Sequence, residues 1–196
     1  MYRLVISLAL ALLSACSVTQ PKNIDNVCQI FSEKDDWYQA ARRTEKRWGT
    51  PVAVQMAIMH QESAFVADAE PPAPLILGFM PWFKSSSAYG YAQAQNGTWS
   101  DYQKQTGHRF SSRDDFADSC DFIGWYCSIS HNKLGIDNND AYNLYLSYHE
   151  GHGGFRRNSH SHKQWLLTTA QKVANRSIYF ANQLKSCRSS LEADNK

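Results

Sequence analysis

Pro51-Val52-Ala53-Val54-Gln55-Met56-Ala57-Ile58-Met59-His60-Gln61-Glu62-Ser63-Ala64-Phe65 is the stretch from which the fold can be read. Thr50 is placed to cap a helix here, and Pro51 suits its first turn, where a missing N–H costs nothing. Val52, Met56, Met59 and Glu62 follow at steps of four, three and three, with Ile58 and Phe65 flanking. That spacing predicts a helix with one carboxylate on its apolar stripe, near the C-terminal end. Burial disfavours the ionised form of such a carboxyl and raises its pKa. A carboxyl kept protonated near neutral pH can serve as a general acid. The competing reading is a solvated Glu, reached by a drift of one residue in the helical phase.

The flanking segments also have helical spacing. On the N-terminal side, Asp35 or Asp36 is placed to cap a helix with Trp37, Ala41, Thr44 and Trp48 on one face, ended by Gly49. On the C-terminal side, a long connection over residues 67–88 carries Pro71, Pro72, Pro74 and Pro81 among Leu75, Ile76, Leu77, Phe79, Met80, Trp82 and Phe83. Prolines mixed with apolar side chains predict an ordered loop, either covering a functional cleft or folding back over the core. A short helix with Trp99 and Tyr102 on one face follows and closes at Gly107. Residues 114–134 read as a helix aligning Phe116, Cys120, Ile123, Cys127 and Leu134. Asn139 or Asp140 caps another, through Leu144 and Tyr148, which halts at Gly151-His152-Gly153-Gly154. The last helix is expected over residues 163–184, with Trp165, Leu166, Val173 and Leu184 inward. Six or so helices without strand alternation predict an all-α single domain. Its expected bounds are 35–187, preceded by an anchor or linker over 16–34 and followed by a polar tail over 188–196.

The N-terminus reads as a targeting segment. Arg3 precedes an apolar run over residues 4–13 that is too short to span a bilayer. Leu13-Ser14-Ala15-Cys16 resembles a bacterial lipobox, which implies removal of residues 1–15 and lipidation of Cys16; an ordinary secretory cut near Ala15 is the alternative. Resemblance to Gram-negative lipoproteins with Ser, rather than Asp, after the cysteine implies sorting to the outer membrane. An exported chain can oxidise its remaining cysteines, Cys28, Cys120, Cys127 and Cys187. Cys120 and Cys127 lie roughly 10 Å apart along one helix, too far for a bridge. Cys28 and Cys187 flank the folded region and are placed to tie its ends; four buried free thiols are the alternative. The net charge of +2, with no basic stripe interleaved with aromatics, argues against nucleic acid.

Three motifs in order resemble the soluble lytic transglycosylase family, whose domain is lysozyme-like. Gln61-Glu62-Ser63-Ala64-Phe65 is similar to the Glu-Ser-x-Phe segment that carries the family's single catalytic Glu. Gly90-Tyr91-Ala92-Gln93 corresponds to a Gly-Leu-Met-Gln motif lining the sugar groove. Ser147-Tyr148-His149-Glu150-Gly151-His152-Gly153 is similar to Ala-Tyr-Asn-x-Gly-x-Gly, whose Tyr lies by the acid. Tyr91 and Ala92 replace Leu and Met, His149 replaces Asn, and the interval from Glu62 to Gln93 is longer than usual.

The resemblance implies a peptidoglycan lytic transglycosylase of the bacterial cell envelope, acting on glycan strands without a cofactor or metal. Glu62 would be the catalytic acid and base, with Tyr148 holding it in place. Gln93, Ser63, Gly90, Tyr91, His149 and Glu150 would make up the substrate groove. Glu150, beside a glycine-rich helix end, reads as a solvated acid. The other readings are a hydrolytic muramidase and a non-catalytic peptidoglycan-binding lipoprotein. A zinc site at His149 and His152, with His160 and His162 nearby, is disfavoured. Zinc-binding helices of that type space their histidines by four, and here the spacing is three.

Overall fold

The computed structural model describes residues 19–71, 75–76, 80–81 and 86–193. Cys16 with its lipobox, and residues 72–74, 77–79 and 82–85 of the proline-rich connection, lie outside them. The described residues form seven helices: α1 Val27–Glu33, α2 Asp35–Trp48, α3 Val52–Ser63, α4 Asn96–Thr106, α5 Phe116–Leu134, α6 Ala141–Arg156 and α7 Gln164–Ala193. Within the proline-rich connection, β1 Leu75–Ile76 pairs antiparallel with β2 Met80–Pro81.

α3 runs through the middle. Every residue from Val52 to Met59 is buried, so it is a core helix enclosed by α2, α5 and α7 rather than a helix with one apolar stripe. Its start differs from the capping expected at Thr50. Pro51 is the cap residue, and buried Thr50 turns its hydroxyl towards the Gly124 carbonyl at 3.5 Å. The first helical N–H, on Val52, donates instead to Glu45 Oε1 at 3.3 Å. Within Val52–Met59 one polar side chain is buried, and its amide nitrogen is bonded: Gln55 Nε2 donates to the carbonyls of Ala41 and Thr50 at 3.1 and 2.8 Å.

α2 has Asp35 and Asp36 in its first turn and Lys46 and Arg47 in its last, the arrangement the helix dipole favours. Neither Asp caps it, since Lys34 occupies the cap position; Gly49 closes it in the left-handed conformation. α2 crosses α5 at Gly124, where an added Cβ would lie 2.4 Å from Thr44 Cγ2. Asp115 and Asp140 cap α5 and α6 by accepting from the N–H groups of Asp118 and Asn143.

Three expectations about element bounds need correction. α6 does not halt at its glycines: it kinks at Gly151, whose φ of 73° and ψ of 155° are non-helical, and resumes to Arg156. α7 continues past Leu184 to Ala193. Its inward stripe is Leu166, Ala170, Val173, Ser177, Phe180 and Leu184; Trp165 precedes that stripe by one position, faces away and is 58% exposed. Residues 27–33 are not linker, because α1 buries Val27, Ile30 and Phe31 against the core and α7. Cys28 of α1 is disulfide-bonded to Cys187 of α7, while Cys120 and Cys127 are free and buried.

Candidate active site

Glu62 sits in the last turn of α3, which ends where Ala64 and Phe65 both take positive φ. Buried Phe65 locks that exit into the core, and the Glu62 carboxyl opens into a cleft of about 470 Å³. The cleft is walled by Ser86, Ala88 and residues 93–95 on one strand of chain, Phe122 and Tyr126 of α5, and Tyr148, His149 and Glu150 of α6. Loss of hydration against these walls pushes the Glu62 carboxyl up to about 7, and a hydrogen bond from Tyr145 opposes the rise.

Tyr145 is the partner that sequence reasoning missed. The Tyr148 hydroxyl was expected on Glu62 but donates to the Ala92 carbonyl at 2.6 Å, tying α6 to the opposite wall. Tyr148 lines the cleft with its ring, edge-on to Tyr126. Tyr145 lies one turn earlier on the same face of α6, and this three-residue spacing was the available signal. Phe122 and Tyr126 were also missed as cleft residues, because their spacing reads only as core.

Gln93 lines the cleft in a left-handed conformation, with φ of 48°. Its Nε2 donates to the carbonyls of Ala69 and Gly90 at 2.7 and 2.9 Å, so Oε1 is the atom left to meet a ligand. Ser63, Gly90 and Tyr91 are not brought into the cleft. Ser63 Oγ bonds back to the Met59 carbonyl at 3.3 Å. Tyr91 is 1% exposed and packs edge-on against Trp37 and Phe116. At Gly90, a Cβ would lie 2.0 Å from the Arg113 carbonyl, so only glycine lets these two chain segments touch. These three residues shape the wall from behind.

His149 and Glu150 do line the cleft, but Glu150 is not the solvated acid its position suggests. The kink at Gly151 folds residues 159–163 back over it, and its side chain is only 4% exposed. Lys163 Nζ bridges both carboxylate oxygens at 2.7 and 2.9 Å, Ser159 Oγ donates to Oε2, and His149 Nδ1 lies 3.2 Å from Oε1. Lys163 foremost holds the Glu150 pKa down at about 2. The cleft therefore contains two acids of opposite character at neutral pH: Glu62 able to carry a proton, and Glu150 ionised with its lone pairs engaged.

His152 Nε2 lies 3.1 Å from Ser130 Oγ and its ring stacks on Tyr126, while His160 stacks on Phe155. Among the described residues, no group of three or more His, Cys, Asp or Glu is placed to hold a metal ion.

A helical domain with one proton-carrying carboxyl on the floor of an open cleft is lysozyme-like in architecture. Residues 4–187 match the family model described as the transglycosylase SLT domain, and the chain belongs to that family. Membership implies transglycosylase action on the glycan of peptidoglycan and hence a place in the cell envelope. Neither the curated proteins nor the solved structures compared with the chain gave a match.

Proposed function

We propose that this chain is a lytic transglycosylase that cleaves the β-1,4 bond between N-acetylmuramic acid and N-acetylglucosamine, with Glu62 as its single acid and base. One observation carries the reading. The cleft pairs a carboxyl whose pKa is raised to about 7 with a second that is ionised and saturated by Lys163, Ser159 and His149. Protonated Glu62 donates to the glycosidic oxygen as the bond to C1 breaks. Ionised Glu62 then takes the proton of the muramic C6 hydroxyl as that oxygen bonds to C1, closing a 1,6-anhydro ring. The acetamido group of the substrate stabilises the cationic carbon, so one enzyme carboxylate suffices, as in other substrate-assisted glycosidases. Tyr145 orients Glu62, Gln93 Oε1 accepts from an N-acetyl N–H, and the rings of Phe122, Tyr126 and Tyr148 meet sugar faces.

Digestion of purified sacculi in oxygen-18 water separates this reading from a hydrolytic muramidase. Unlabelled 1,6-anhydro ends are expected, and labelled reducing ends would make the protein a lysozyme. Intact sacculi after exposure to folded protein would leave only the glycan-binding role.

The same proposal anchors the mature chain to the inner face of the outer membrane through lipidated Cys16. Mass spectrometry of the N-terminal peptide from membranes is expected to show acyl chains on Cys16, and an unmodified peptide cut near Ala15 would refute the anchor. The connection over residues 71–83 takes part in glycan turnover under the same proposal. Its deletion is expected to impair glycan turnover more than folding.

A further inference from the structure

We infer that Trp165 and His149 form a sugar-stacking platform just outside the cleft, extending the glycan-binding surface beyond it. The inference rests on the glycan-cleaving function proposed above.

The observation is an exposed aromatic seated on a cleft residue. Trp165 is 58% exposed, whereas Trp37, Trp99 and Trp125 are all buried. An exposed indole at a loose helix end would need no explanation. This one comes with two parallel contacts between the start of α7 and the kinked part of α6. The His149 ring meets the Trp165 ring edge-on, with centroids 5.1 Å apart. Two residues before Trp165, Lys163 is clamped on Glu150, the neighbour of His149. A carboxylate only 4% exposed, engaged on every side, is a costly device for holding a surface turn. Its effect is to tie the start of α7, which carries the indole, to α6 beside the cleft wall.

His149 links the platform to the site, because it lines the cleft while touching Trp165. A glycan leaving the cleft past His149 meets the indole next. Aromatic rings offer a flat apolar surface to the C–H faces of a pyranose, and a pre-positioned ring loses little side-chain entropy on binding. The ligand this predicts is an N-acetylated hexosamine polymer long enough to overrun the cleft. The device is therefore a length sensor: short oligosaccharides fill the cleft alone, and longer ones gain the platform.

Oligomers of β-1,4-linked N-acetylglucosamine are the probe, titrated onto the full chain carrying Glu62→Gln so that nothing is cleaved. Trp165→Ala is expected to weaken binding of the hexamer about tenfold and leave the dimer unchanged, with Trp165→Phe in between. The hexamer should also perturb tryptophan fluorescence in a way that Trp165→Phe abolishes. Equal affinities for the hexamer with and without Trp165 would overturn the inference, as would an equal loss for dimer and hexamer, which means packing rather than contact. If the Glu62→Gln protein with Trp165 intact binds no oligomer and no isolated glycan strand, the glycan reading itself fails and the platform with it.

Discussion

A carboxyl that keeps its proton to about pH 7 when folded, against an ordinary value of 4.5, makes both activity and stability depend on pH. Glu62 acts first as an acid, so turnover should fall as pH rises through about 7. Glu62→Gln keeps the shape without a transferable proton, and sacculus digestion should drop by about 10²–10⁴-fold or more, because one group serves as acid and then base. Stability moves in the same direction, over a lower window. Between pH 4.5 and 7 the folded state binds the proton and the unfolded state has released it, so this carboxyl costs stability progressively as pH rises through that window. Thermal unfolding should therefore find Glu62→Gln more stable than the parent above pH 7, with the advantage vanishing towards pH 4.5. A variant less stable at every pH would disprove the burial argument. Tyr145→Phe removes a hydrogen bond that favours ionised Glu62, and should shift the falling limb of the pH–rate profile upward. Tyr148→Phe, whose hydroxyl meets Ala92, should leave that limb in place. Glu62 was legible because a carboxylate among apolar helical positions is a rare pattern. Tyr145 was not, because a buried tyrosine's hydroxyl partner depends on which helix crosses it.

Helix existence was readable from spacing, but helix ends and packing were not. α3 looked amphipathic through Val52, Met56, Met59 and Glu62, yet Ala53, Val54 and Ile58 are buried too, since neighbours cover it on several sides. Trp165 looked inward because tryptophan usually is, and the stripe on α7 begins one residue later. The glycine run after Glu150 was recognised as a break, although its consequence was not. With ψ of 155° at positive φ, Gly151 occupies a region essentially reserved for glycine, and nothing lies within 4 Å of where its Cβ would be. Gly151→Ala is therefore a test of backbone strain without a clash. It should cost about 1–3 kcal/mol in urea unfolding. It should also disturb the Glu150–Lys163 pair and the Trp165 platform, raising KM on long glycan more than it lowers kcat. Wild-type stability in this variant would mean the kink is soft, and that the approach of Lys163 to Glu150 does not depend on it.

At the scale of the molecule, the two ends of the helical body are joined twice, by packing and by a covalent bond. α1 lays Val27, Ile30 and Phe31 against the core and α7, Val27 N–H donates to Gln183 Oε1 at 2.8 Å, and Cys28 is bonded to Cys187 across a sequence separation of 159. The pairing was open to sequence reasoning because Cys28 and Cys187 flank the folded region of a chain whose N-terminus reads as an export signal. That residues 27–33 are a core helix was not open, since seven residues are too few to show a period. The noncovalent contacts already hold the ends together in the folded state, so the main effect of the disulfide falls on the unfolded chain, which it closes into a large loop. Loop-closure entropy for so long a loop approaches about 5 kcal/mol, and measured losses for native disulfides run about 2–5 kcal/mol. Replacing both cysteines by alanine should leave the helical circular dichroism of the native state intact and lower the urea midpoint by a stability loss in that range. The urea m-value should rise, because the unlinked unfolded chain exposes more surface. The free thiols give an internal control: Cys120 and Cys127 are buried in both proteins and should react with a thiol reagent only on unfolding. A double variant with an unchanged midpoint and m-value would show that the bond adds nothing to what α1 and α7 achieve by packing.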